Sequence, residues 1–155
     1  MEAKRITYHT LTDRENTLKL REVLQTLPPF AADFFRAAAN TAAASTRIKY
    51  AYDLRIFFQF LSSEHPMFRG VPVNQMELSV LDRITALDIE EYMEYLRAYR
   101  DSDGRYVTNG EKGLKRKMSA LRSFYAYYYK HELIQPTPTL LIDMPKLHQK
   151  AIVRL

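Results

Sequence analysis

Lys112, Lys115, Arg116, Ser119, Arg122 and Ser123 fall within KGLKRKMSALRS, and no Asp or Glu interrupts them. Ammonium, guanidinium and hydroxyl groups share one chemistry at this density: they bind phosphate oxygens and the electronegative edges of bases. On a helical wheel of about 100° per residue these six span about 120°, while Leu114, Met118, Leu121, Tyr125 and Tyr128 gather within about 80° elsewhere. One helix therefore offers a core face and a cationic face. A merely solvated face mixes signs, because opposite charges three or four apart support the helix. This face does not mix them, and its cations crowd the N-terminal half, where the helix dipole disfavours them. The pattern predicts a polyanion outside the chain, with Lys112, Lys115, Arg116, Ser119 and Arg122 in or along the major groove of a DNA duplex. The competing reading is a helical protein-interaction module whose basic face docks an acidic partner.

Two neighbouring features fit less simply. Lys117 falls beside Phe124, near the core face, and is expected to snorkel, with its stem packed and its ammonium in water. Tyr125, Tyr127, Tyr128 and Tyr129 suggest base stacking on single strands. The wheel instead turns Tyr125 and Tyr128 inward, so the run reads as a packing belt with hydroxyls at the rim.

Charge is distributed as a nucleic-acid footprint would be. The 155 residues carry a net +5, but residues 111–155 hold nine basic and three acidic residues, net +6, whereas residues 1–110 hold fourteen and fifteen, net −1. Other chemistries lack their residues. There is no cysteine, so thiolate metal sites and disulfides are excluded and a reducing cytoplasm is the simplest setting. No Gly-rich phosphate loop, paired-His spacing or Ser/His/Asp arrangement is present, and no metal or cofactor is expected. The N-terminus has no apolar signal core, and nowhere do about 18 apolar residues run together, so neither export nor a membrane span is expected.

The elements that must hold the cationic face are helices. Only four glycines and 46% hydrophobic residues favour a helical core over a turn-rich sheet. Residues 1–10 read as a frayed lead. Leu18, Leu20, Val23, Leu24 and Leu27 give a helix over 11–27, ended by Pro28-Pro29. Residues 29–40 read as a short alanine-rich helix, with a joint at 41–45. Ala51, Leu54, Phe58 and Leu61 give a helix over 45–61, capped by Ser45 or Thr46. Residues 62–83 read as a loop. Thr85 with Asp88 makes a capping-box pattern, flanked by Ile84 and Ile89 as a hydrophobic staple, for a helix over 84–99. Residues 100–110 read as a loop, the last long helix starts near Asn109, and residues 135–139 (QPTPT) stop it. Four or five helices without a convincing strand predict an all-α small bundle.

These segments, in this order, resemble the N-terminal core-binding domain of the tyrosine site-specific recombinases, the phage integrase family that includes the Xer-type enzymes. The family's first helix has a Thr/Ser start and Tyr-x-x-Asp-Leu with Phe-rich spacing, matched by Thr46, Tyr50, Asp53, Leu54, Phe57, Phe58 and Leu61. Its next helix opens with a short Ile-Thr-x-x-Asp-Ile motif, matched by Ile84, Thr85, Asp88 and Ile89. Its last helix is matched by Arg116, Ser119, Ala120, Leu121, Arg122, Phe124, Tyr125 and Tyr127, and its linker by Gln135-Pro136 and Pro145-Lys146. Gln135 stands where the family usually has Asn, and Lys117 where an apolar residue is common. The resemblance spans residues 45–150.

The resemblance implies a SAM-like helical domain that grips one side of a duplex. It divides the chain into a helical extension at 1–44, the core-binding domain at 45–135 and the start of a linker at 136–155. It implies that Arg47, Lys49 and Tyr50 contact backbone phosphates, and that Lys146 and Lys150 track the backbone toward a catalytic domain. The family's nucleophilic tyrosine and its arginines, lysine and histidines belong to that further domain. Three residues after His9, His65, His131 and His148 stand Thr12, Phe68, Ile134 and Ala151, so the family's His-x-x-Arg signature is absent and no catalytic residue is assigned. The expected function is sequence-specific binding of double-stranded DNA for integration or recombination. The parent is expected to assemble as a tetramer on paired sites, and this region alone as a monomer.

Overall fold

Proline and cap chemistry set the first boundaries. The computed structural model describes residues 8–135, which form two compact units that divide between Glu77 and Leu78. In the first unit, α1 runs Tyr8–Leu24, α2 Ala31–Ala38 and α3 Ala44–Glu64, followed by a single 3-10 turn at Val73–Gln75. The start at Tyr8 corrects the expected frayed lead. Thr26 closes the turn after α1 by donating from Oγ1 to the Val23 carbonyl at 2.6 Å, just ahead of Pro28-Pro29.

The first unit is held by apolar packing, because short helices are marginal alone. α1 packs along α3, burying Leu20 and Val23 while leaving Leu18 53% exposed. Leu18 therefore lies off the face that the spacing assigned to it. α2 has only eight residues and is secured by Ala31, Phe34 and Phe35. Phe30 meets Phe58 edge-on at 6.0 Å. Phe57, Phe58, Leu54 and Leu61 of α3 are all buried, and each contributes roughly 1.5–3 kcal/mol on burial. The expected caps of α3 are corrected: the helix begins at Ala44, its N-cap is Ala43 in extended conformation, and neither Ser45 nor Thr46 caps it. The alanines admit helix earlier than the hydroxyl residues do.

The second unit contains α4 (Val80–Arg83), α5 (Ala86–Arg97), β1 (Ala98–Arg100), β2 (Tyr106–Thr108) and α6 (Glu111–Lys130). α4 occupies part of the expected loop. The hairpin corrects the expectation of a structureless 100–110 segment. β1 and β2 pair antiparallel, with Ala98 opposite Thr108, Tyr99 opposite Val107 and Arg100 opposite Tyr106. The chemistry is local. Asp101 Oδ1 accepts the N–H groups of Asp103 and Arg105, both at 2.9 Å, and Gly104 takes φ +79°, a conformation that favours glycine. Among the described residues the architecture is otherwise helical, as the composition predicts.

α5 starts as its sequence specifies. Thr85 Oγ1 accepts from Asp88 N at 3.2 Å, and Asp88 Oδ2 accepts from Thr85 N at 2.9 Å. α6 ends in a Schellman motif: Leu133 N donates to Tyr128 O and Glu132 N to Tyr129 O, both at 2.9 Å. Glu132 takes the left-handed position at φ +58°, where glycine is usual. Gln135 N then donates to Asp82 Oδ1 at 2.8 Å, tying the chain back to α4.

Candidate nucleic-acid interface

α6 is two-faced, and its buried face is the wider one. Leu114, Lys117, Met118, Ala120, Leu121, Phe124, Tyr125 and Tyr128 are all buried, an arc of about 160° on the wheel. Leu114, Met118, Phe124, Tyr125 and Tyr128 have no exposed surface at all. Tyr125 donates its hydroxyl to the Leu81 carbonyl at 3.2 Å. Burial, assisted by the negative charges of Asp82 and Asp88, raises its pKa far above the tyrosine norm. It is a neutral hydrogen-bond donor and a packing residue, not an ionisable group at neutral pH.

On the opposite face Lys112, Lys115, Arg116, Ser119 and Ser123 are exposed, and Arg122 is half-buried. The structure thus brings four of the five helix residues singled out for contact onto one open face, with Arg122 at its edge. No carboxylate lies between residues 112 and 123. Gly110 is the N-cap, with extended backbone and no side-chain cap, and Glu111 is the one acid of the first turn, against Lys112.

Lys117 corrects the snorkelling expectation. It is 6% exposed, and its Nζ donates to Asn109 Oδ1 at 2.8 Å. Asn109 Nδ2 in turn donates to the Leu96 carbonyl at 2.8 Å, which links the start of α6 to the end of α5. Gly113 makes room: a Cβ there would lie 2.7 Å from Asn109 Oδ1. The sequence signal was present in Asn-Gly followed by a glycine inside the helical pattern. Its meaning required knowing that residues 96 and 109 meet.

The tyrosine run separates as the wheel indicates. Tyr128 is buried, and Tyr127 is half-buried and stacks edge-on with Tyr128 at 4.9 Å. Tyr129 alone of the four is exposed, at 45%.

The α3 candidates are placed differently. Lys49 is exposed. Arg47 is half-buried and donates from Nε to the Ala42 carbonyl at 3.3 Å. Tyr50 is half-buried, its ring 6.3 Å from that of Phe34. Lys146 and Lys150, with the whole proposed linker, lie outside the described residues. Among the described residues no group of His, Asp and Glu is arranged to hold a metal, and no helix is long and apolar enough to cross a membrane.

No family model matches the chain, and no solved structure matches it. Curated relatives do. The chain is 28% identical over 145 residues to tyrosine recombinase XerC of Caldanaerobacter subterraneus subsp. tengcongensis, covering 88% of this chain and 39% of that protein. It is 25% identical over 101 residues to XerC of Anoxybacillus flavithermus, covering 65% and 27% respectively. It is 29% identical over 112 residues to XerC of Bacillus subtilis, covering 63% and 34%. The chain thus spans well under half the length of these relatives. What the chain shares with these relatives is similarity to a tyrosine recombinase region, over 63–88% of its length.

Proposed function

We propose that this chain is the core-binding, double-stranded-DNA-binding region of a tyrosine recombinase, and that it lays the open face of α6 along the major groove. The observation that carries the reading is the acid-free row of Lys112, Lys115, Arg116 and Ser119, all exposed, on a helix whose other face is locked in the core. Rigid presentation matters, because a cation fixed on a helix meets a phosphate with little further loss of freedom. Lys49 extends the contact to backbone phosphates. Arg47 and Tyr50 support it from a half-buried position, and Lys146 and Lys150 follow the backbone beyond. In this reading residues 45–135 form the binding domain, residues 1–44 brace it through α1 and α3, and residues 136–155 begin the linker. The region supplies grip and registration rather than bond chemistry: it carries no His-x-x-Arg, and Tyr125 and Tyr128 are fully buried.

The test is a gel shift with duplex DNA at low salt, comparing the chain with a Lys112→Ala, Lys115→Ala, Arg116→Ala variant. These three are exposed, so the variant stays folded, whereas Arg122 is half-buried and its removal would also disturb packing. Wild-type binding should weaken steeply with salt, and losing three phosphate contacts should lower affinity at least about 100-fold and flatten the log–log salt slope by about 2.7. Absence of duplex binding at low salt overturns the reading and leaves an acidic protein as the ligand of this face.

A further inference from the structure

The β1–β2 hairpin is shaped and without a core of its own, and it carries two arginines, Arg100 and Arg105, against two aspartates, Asp101 and Asp103. Every residue from 98 to 108 is exposed or half-buried. Tyr99 and Val107 are the half-buried pair, and Tyr99 stacks on Tyr95 of α5 with ring centres 4.9 Å apart. Alternation along the strands then turns Arg100 and Tyr106 to the other face. Tyr106 is 76% exposed. The Arg100 guanidinium lies over the Tyr106 ring, 4.5 Å from its centre, and donates to its hydroxyl. An exposed cation–π pair of this kind favours one arrangement of two outward side chains. A stacked guanidinium still offers N–H edges to a phosphate.

The tip is equally well fixed. Asp101 N donates to Arg105 O at 2.9 Å, and the Asp101 carboxylate is spent on the turn's own N–H groups. Arg105 stands exposed there, with Asp103 as the exposed acid. A lone two-stranded ribbon is marginal in water. This one is held by turn chemistry, by the Arg100–Tyr106 pair and by Asn109 at its base, none of which buries a side chain of the hairpin. Chain continuity places it: β2 passes through Asn109 and Gly110 directly into the turn of α6 that carries Lys112 and Lys115.

We propose that the 98–108 hairpin is a second DNA-contacting element, setting Arg100 and Arg105 on the duplex backbone that flanks the segment gripped by α6. This rests on the reading of α6 as the DNA face. The reach is set by geometry. Three residues of strand rise about 10 Å, against about 34 Å for a turn of some 10 base pairs, so the hairpin extends the bound segment by about 3 base pairs on one side.

The probe is a set of random-sequence duplexes of graded length, with affinity measured by fluorescence anisotropy over a salt series. The wild type should gain affinity with length until the hairpin is also covered. An Arg100→Ala, Arg105→Ala variant should stop gaining about 3 base pairs earlier, bind roughly tenfold more weakly, and show a salt slope flatter by about 1.8. Arg100→Lys, Arg105→Lys should restore most of the slope, since it keeps both charges. Thermal unfolding should stay cooperative and its midpoint fall by a few degrees at most, as only the exposed Arg100–Tyr106 pair and no core contact is lost. If the wild type binds DNA and the alanine variant matches it in length dependence and slope, the hairpin proposal is overturned while the α6 reading stands. If the wild type binds no duplex, both fall.

Discussion

α5 and α6 are neighbours in one unit, yet they are stabilised by opposite means. α5 follows local rules. It opens on a reciprocal capping box, and its wet face mixes Glu90, Glu91 and Glu94 with Arg97, which sits 3.4 Å from Glu94. α6 keeps those rules at its ends, with Glu111 in the first turn and Lys130 in the last, and breaks them from Lys112 to Ser123. It has no side-chain cap, its cations sit where the dipole opposes them, and its open face lacks acids. It is kept by tertiary anchors instead: the Lys117–Asn109–Leu96 chain at its start, Tyr125 on the Leu81 carbonyl midway, and a Schellman turn at its end. A helix that sets aside local stability in favour of a uniform exposed charge is what the proposed DNA contact requires.

The sharpest way to break that contrast is to cut the anchor at the start of α6. Asn109→Ala removes an acceptor from a buried ammonium and a donor from the Leu96 carbonyl. It should lower unfolding free energy by about 2–3 kcal/mol in urea titration. Lys117→Met keeps the stem's packing, removes the charge, and should cost under about 1.5 kcal/mol. If Asn109→Ala were neutral, α6 would be held by its apolar face alone, and the distinction drawn here would fail.

The midway anchor has a pH signature. Tyr125→Phe should cost about 1–2 kcal/mol, because the Leu81 carbonyl loses its donor in a buried setting. The sign with pH follows from burial raising the Tyr125 pKa. In the unfolded chain a tyrosine loses its proton near pH 10, while the folded chain keeps it. This contribution is therefore full below about pH 10 and declines as pH rises beyond it. Urea titrations at pH 8 and at pH 11 should show the gap between wild type and Tyr125→Phe narrowing at the higher pH. A constant gap would mean that the buried phenol does not differ from an exposed one.

How much of this was legible beforehand follows the same division. The α5 start was readable because Thr85, Asp88, Ile84 and Ile89 lie within six residues, and cap chemistry acts over that range. The two faces of α6 were readable because helical periodicity needs no partner. Lys117 was misread because its acceptor, Asn109, is presented by a turn whose position depends on α5. The α3 start moved because alanine carries no signal of where a helix begins. The hairpin leaves little trace in the sequence, although Asp101 and Gly104 are turn residues at a fitting spacing. Its strands are only three residues each, too short for an alternation to show.

The smallest expected effects test the comparison from both sides at once. Thr85→Ala removes one half of the α5 capping box and should cost about 1 kcal/mol. On α6 the reverse substitution is available. Gly110 already has the extended backbone of an N-cap, and a Cβ there meets nothing within 4 Å. Gly110→Ser should therefore stabilise the chain by a few tenths of a kcal/mol by supplying the missing acceptor. The two shifts, opposite in sign and unequal in size, are measurable as denaturation midpoints at constant m-value. If Thr85→Ala proved silent, or Gly110→Ser destabilised the chain, local capping would not be what separates these helices. If both hold, the absent cap of α6 is a stability deficit that a single residue reduces, while the exposed cationic face is left untouched.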